Sequence, residues 1–304
     1  MVIQVPQPTD AVELRMEDGA IIRIRRHGNP SGPRLVLSHG NGLAIDGYAL
    51  FWTLFCERYE VIVFDLRNHG QNPYHGPTGH NWPTFVKDAR AIWEGIAANW
   101  GEKPAAGVFH SLSGIVAIGQ ALESGEPWDL LALFDPPLTP PVGHPLREPF
   151  LAQQRELAQR TSRRKERFSE PMEFARRLQQ NPAFQRWAPQ AYAAVANATL
   201  RRDTAGSGYI LCCPRELEAR IYATSDEVTF WKQVRRLEHP VKLICGDPAN
   251  AALNVVSQVD RALADEFGLA FKAIPGATHF LQFEQPALCA CAVEEFLRQH
   301  DFTT

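Results

Sequence analysis

Apolar residues in this chain come mostly in short unbroken runs rather than in strict alternation. RLVLSHG (34–40), VIVFDL (61–66), AAGVFH (105–110), LLALFD (130–135), VKLICG (241–246) and LAFKAIP (269–275) are six of them. Runs of this length, rich in β-formers and lacking a period of two, predict parallel strands covered on both faces. Two further short strands are predicted at 11–16 and 20–26, around the turn Asp18-Gly19. Between the runs lie stretches with helical spacing. Residues 83–100 open on a proline and carry apolar positions at helical intervals, and 112–123, 251–267 and 286–299 read the same way. Strand–helix alternation of this kind predicts an α/β fold with a doubly wound, mostly parallel sheet.

The middle of the chain breaks the rhythm. From 136 to about 225 there is no strong strand. The proline-rich DPPLTPPVGHP (135–145) suits neither a helix nor a sheet interior. Polar helical stretches at 150–168 and 171–180 follow, and then PAFQRWAPQAYAAVANATL. The expectation is a core domain of 1–135 and 226–304, with a helical insertion at 136–225 after the sixth strand. The basic run RRKER (163–167) reads as a solvated helix face in preference to an anion site.

Composition narrows the classes of function. A net charge of −3 over 304 residues argues against a nucleic-acid or anionic-membrane surface. No apolar run approaches a membrane span, and MVIQVPQPTD lacks the basic and apolar regions of a secretory signal. Cys56, Cys212, Cys213, Cys245, Cys289 and Cys291 form no C-x-x-C pair. Neither a metal site nor a redox motif is expected, and free thiols fit a cytoplasmic location. The composition does not set the oligomeric state.

Candidate chemistry begins at GVFHSLSGIV (107–116), where a buried run stops at a serine and a small-residue helix follows. A nucleophile elbow is a sharp strand-to-helix turn that wants small residues near its tip. With Ser111 at the tip, Ser113 and Gly114 follow at the second and third positions. With Ser113 at the tip, the bulky Ile115 would take the second position, so Ser111 is the better register. Phe109 stands two before it, where the pattern G-x-S-x-G has glycine. On this stretch alone, nucleophile and helix cap are balanced readings.

Three further segments extend the pattern: LSHGNG (37–42), VIVFDLRNHGQNP (61–73) and PGATHFLQFEQP (275–286). Together with FHSLSG, and in this order, they resemble the α/β-hydrolase family. That resemblance implies a serine hydrolase in which 136–225 serves as a helical cap, and it implies the order nucleophile, acid, histidine. Ser111 is then the nucleophile and His279 the base that takes its proton. Asp247, in GDPAN, is the expected acid. The family often places the aspartate three residues after that glycine, where this chain has Ala249. Asp135, at the end of the preceding strand, is the alternative acid. The oxyanion hole is expected from the N–H groups of Asn41 and Leu112. His39 is expected to orient that turn, His69 to be structural and His110 to pack. Trp187, Phe184 and Tyr192 are candidates for a pocket wall or for the cap's own core.

The reaction that follows is hydrolysis of a carboxylic ester, lactone or thioester through an acyl-enzyme. No cofactor or metal is required, and the small-molecule substrate is expected to be uncharged and apolar. Two alternatives use the same scaffold: hydrolysis of a carbon–carbon bond, and non-catalytic ligand binding.

Overall fold

The computed structural model describes residues 4–125, 127–249 and 255–302. Among them, eight strands form one sheet in the order β1-β2-β4-β3-β5-β6-β10-β11. The strands are β1 (Asp10–Arg15), β2 (Ile21–Gly28), β3 (Arg34–Ser38), β4 (Glu60–Phe64), β5 (Ala105–His110), β6 (Leu130–Phe134), β10 (Val241–Cys245) and β11 (Ala270–Ala273). Pairing is parallel from β4 to β11, and only β2 runs against the other strands, pairing antiparallel with β1 and β4 at one edge. β3, β4, β5, β6 and β10 are buried along their whole length. Their unbroken apolar runs follow from that position, because a strand covered on both faces has no side to leave polar.

Helices cover the two faces. α1 (Ala49–Trp52) and the carboxyl-terminal α10 (Pro286–Gln299) pack together on one side, and α2 (Trp82–Trp100) packs on α3 (Leu112–Ser124) on the other. α8 (Val255–Phe267) lies between β10 and β11 in the chain. The helix expected over 251–267 is seen from Val255, and 251–254 lie outside the described residues. α9 (Leu281–Glu284) is a single turn just before α10. Asn81 caps α2 by accepting a hydrogen bond from Thr84 N–H, with Pro83 in the first turn.

The strand–helix rhythm stops between β6 and β10. This segment holds α4 (Arg147–Thr161), α5 (Pro171–Gln180), α6 (Pro189–Thr199) and α7 (Arg215–Ala223). It also holds a small antiparallel sheet of β7 (Arg167–Phe168), β9 (Tyr209–Leu211) and β8 (Leu200–Arg202). The strands are two or three residues long, too short to leave a periodic signal, so the sequence shows only the helices. α4 stops at Thr161, short of the expected 168, so Arg163 to Lys165 lie in the turn beyond it. No helix among the described residues is long and apolar enough to cross a membrane.

Candidate active site

Ser111 sits between β5 and α3 with φ of 53° and ψ of −115°. A non-glycine residue with that backbone is strained, and such strain clusters where a side chain must be aimed. The turn is held by Ser111 N–H donating to Phe134 C=O at 2.9 Å. Ser113 braces it from within: its hydroxyl donates to His110 C=O (3.0 Å) and accepts from His110 N–H (3.1 Å). Both lone functions of the second serine are thereby occupied by backbone.

Phe109 fits at the position usually kept small because its neighbour gives way. Its ring packs edge-on against Trp128 and Phe64 on the α2–α3 side of the sheet. A Cβ on Gly107 would stand 2.5 Å from that ring. The room normally left by a glycine two before the serine is supplied here two residues further upstream. Glycine is also needed at position 40, where a Cβ would come within 2.9 Å of His110 Nδ1 and 3.2 Å of Ser111 Cβ.

His279 lies in the loop after β11, and its Nε2 is 3.1 Å from Ser111 Oγ. Its Nδ1 faces Asp135, with Oδ2 at 3.4 Å, and has no hydrogen-bond partner within 3.5 Å at good geometry. The contact is an ion-pair distance rather than a formed hydrogen bond, as catalytic contacts often are before substrate tightens them. Asp135 is fully buried, with φ of 41°. Its Oδ1 accepts from Ser257 Oγ at 2.9 Å and from Gly246 N–H at 3.2 Å, which fixes the carboxylate under the imidazole.

The structure therefore puts the alternative acid, not the expected one, beside His279. Asp247 spends its carboxylate on backbone, accepting from Ala249 N–H and Gly276 N–H at 3.0 Å each. Those donors, Gly276 foremost, hold its pKa below the usual carboxylate value. Asp247 does touch the His279 loop, at Gly276 and Ala277. The imidazole, however, leans back from the β11 edge to reach Ser111 on β5. Its second nitrogen then falls over β6, the strand between β5 and β10, and Asp135 ends β6.

Beneath Asp135 lie Cys245 and Asp260, both buried, with their ligand-type atoms and that of Asp135 within 4.8 Å of one another. Cys245 Sγ is 3.5 Å from Asp260 Oδ2. Burial, with Asp135 nearby, pushes the Asp260 carboxyl and the Cys245 thiol well up, which favours their neutral forms. A thiol and a carboxyl pushed toward their neutral forms are a poor donor set for a cation.

Histidines brace the surrounding loops in neutral form. His39 Nδ1–H donates to Gly40 C=O (2.8 Å), while its Nε2 accepts from Leu66 N–H (3.0 Å). His69 Nε2 accepts from Gly42 N–H at 3.1 Å. Burial lowers their pKa values to about 4 and about 3. His110 does more than pack. Tyr48 Oη accepts from Gly40 N–H (3.1 Å) and donates to His110 Nδ1 (2.6 Å), and His110 Nε2–H donates to His279 C=O (2.9 Å). One chain of bonds thus joins the 40–41 turn, the elbow strand and the histidine loop. Glu284 completes that loop by accepting from Thr278 N–H and Thr278 Oγ1–H. The sequence offered no local sign of Tyr48 or Glu284, since each acts through partners distant in the chain or on a different turn.

Leu112 opens α3, so its N–H has no acceptor within its own helix. Asn41 is buried, with Nδ2–H donating to Glu218 C=O at 2.9 Å. A cavity of about 610 Å³ reaches from Asn41, Gly42 and Leu43 past Phe280 into the inserted segment. That is a ligand-sized volume. Phe184 and Trp187 line it. Tyr192 instead stacks on Trp187 and donates its hydroxyl to Phe184 C=O, as part of the segment's own packing. A cleft of about 630 Å³ beside Tyr74 and Arg202 is as large but does not reach Asn41, and neither cavity is lined by Ser111 or His279.

Comparison with known proteins agrees with the architecture. The model of the "Alpha/beta hydrolase family" matches residues 35–292. Human protein phosphatase methylesterase 1 is 30% identical over 115 residues, which are 36% of this chain. The match spans only 29% of that relative's length. Among solved structures, an alpha/beta hydrolase from Novosphingobium aromaticivorans superposes with a TM-score of 0.76 at 16% identity, covering 97% of this chain and 99% of its own. A thermophilic esterase from Thermogutta terrifontis gives 0.70 at 20% identity, covering 97% and 100%.

Proposed function

The chain belongs to the alpha/beta hydrolase family, and from that premise we propose that it hydrolyses a carboxylic ester or thioester through an acyl-enzyme on Ser111. His279 Nε2 takes the Ser111 proton as Oγ bonds to the substrate carbonyl carbon. The resulting oxyanion is held by the N–H groups of Asn41 and Leu112. The imidazolium then protonates the leaving alcohol or thiol, and the bond to the carbonyl carbon breaks. Water repeats the sequence on the acyl-serine, giving its proton to His279 and releasing the carboxylic acid and Ser111. Asp135 holds the Nδ1–H tautomer and stabilises the imidazolium. Residues 136–225 act as a cap over the cavity.

The observation that carries this reading is the 3.1 Å contact of His279 Nε2 with the hydroxyl of a serine in a strained strand-to-helix turn. A methylesterase among the partial relatives supports an ester bond as the target. The test is labelling with a serine-reactive phosphonate followed by mass spectrometry. The adduct is expected on Ser111, with turnover of an activated ester lost in Ser111→Ala by about 10⁴-fold or more. An adduct on Ser113, or an unlabelled protein, defeats the reading.

A further inference from the structure

The cavity beside the Asn41 turn has two kinds of wall. Leu43, Leu178, Trp187 and Phe280 make its apolar part. Arg160, Arg163, Arg164, Lys165 and Arg177 line it as well, against a single acid among the described residues, Glu218. Glu218, itself buried, is taken by the half-buried Arg164, with which it forms an ion pair. Lys165 pairs with Glu173, and Arg160 lies 3.5 Å from Glu156. No carboxylate among the described residues lies within ion-pair distance of Arg163 or Arg177. Both are solvent-exposed.

The imbalance extends beyond the cavity. Residues 136–225 hold 14 Lys and Arg against 8 Asp and Glu, a formal charge of +6 in a chain whose net charge is −3. Like charges gathered on one rim repel, and the fold gains nothing from leaving two guanidinium groups there without partners. A guanidinium presents a planar fork of donors that matches carboxylate and phosphate oxygens. The turn that carries Arg163 belongs to no helix, so RRKER is not the solvated helix face that its composition predicts.

Building on the acyl-enzyme reading above, we propose that the site selects esters or thioesters carrying an anionic group, phosphate or carboxylate. Arg163 and Arg177 hold that group at the cavity mouth, and the apolar part of the substrate fills the wall of Trp187 and Phe280. The expected substrate is thus amphiphilic rather than uncharged. The basic mouth also raises the encounter rate with anions, an effect that salt screens.

Binding to the Ser111→Ala protein tests this without turnover. Calorimetry would compare butyryl-coenzyme A with S-butyryl-N-acetylcysteamine for the phosphate arm, and monobutyl with dibutyl succinate for the carboxylate arm. At least one anionic probe is expected to bind about tenfold tighter than its neutral counterpart at low salt, and to lose most of that preference at about 0.3 M salt. Arg163→Gln with Arg177→Gln should abolish the preference, and the Arg163→Lys, Arg177→Lys pair should restore part of it. If neither anion outbinds its neutral partner, or if the Gln pair keeps the preference, the proposal is wrong. Ser111-dependent hydrolysis of neutral p-nitrophenyl butyrate by the wild type reports separately on the acyl-enzyme reading. Intact turnover without anion preference rejects only the anion site.

Discussion

Asp135 and Ser111 both hold positive φ, 41° and 53°, at neighbouring strand ends. Each such residue costs on the order of 1–3 kcal/mol, a cost tolerated where aim matters more than ease. Strain and burial together single out Asp135, whereas Asp247 clasps a loop. Asp135→Asn is expected to keep the fold, misplace the imidazole proton and lower kcat by about 10⁴-fold. Asp247→Asn should stay within about tenfold of wild type, because its carboxylate ties the turn at Gly276 rather than the imidazole. Both variants assayed on one activated ester decide the matter; a crippled Asp247→Asn beside a healthy Asp135→Asn would return the role to Asp247. Ser113→Ala belongs at the same scale. It deletes two backbone contacts, so a loss of about 1 kcal/mol in urea unfolding is expected, with little change in turnover.

At the scale of elements, the site is a meeting of loops at the carboxyl edge of the sheet, and the loops are tied to each other. Tyr48 is the knot. Its hydroxyl serves Gly40 N–H on one side and His110 on the other, and His110 carries the connection to His279 C=O. Tyr48→Phe leaves a buried N–H and a buried imidazole nitrogen without partners, at about 1–3 kcal/mol each. Both thermal stability and kcat are expected to fall, since the same bonds set the spacing between the Asn41 turn and His279. A Tyr48→Phe protein with wild-type melting and wild-type kcat would show that the chain of bonds is incidental. Gly107 and Phe109 teach a related lesson: the small residue an elbow needs can be displaced along the strand, provided the total volume beneath the turn is kept.

For the molecule as a whole, buried neutral histidines set the response to acid. His39, His69 and His110 all have pKa values depressed by burial, to about 4, about 3 and well below the usual value. Unfolding exposes them, and each regains a pKa near 6.5. Below about pH 6.5 the unfolded chain therefore binds more protons than the folded one, so stability falls as pH falls. Each histidine contributes a slope approaching ~1.4 kcal/mol per pH unit until its folded pKa is reached. Urea midpoints at pH 7.5, 6 and 5 should drop steeply, well above the range where carboxylates protonate. A flat profile from 7.5 to 5 would mean that these rings are charged or exposed in the folded protein.

The apolar runs alone determined the sheet. Every strand expected for it from 11 to 275 is present to within two residues, because a run buried on both faces has no other low-energy place to go. Ser111 and the loop of His279 were legible for the same reason: strand ends and turn residues are local properties. The choice between Asp135 and Asp247 was not local. Both end strands at the same edge, and which one lies beside Nδ1 depends on how far the imidazole leans across β10 and β6. The bracing by Tyr48, His110 and Glu284 was equally hidden, since it joins residues up to 169 positions apart. The choice for RRKER between a solvated face and an anion site was not local either, since only the turn after α4 brings Arg163, Arg164 and Lys165 to the lining of a cavity. Local pattern determines what each segment can become; only the packing of segments decides which charges and hydroxyls meet.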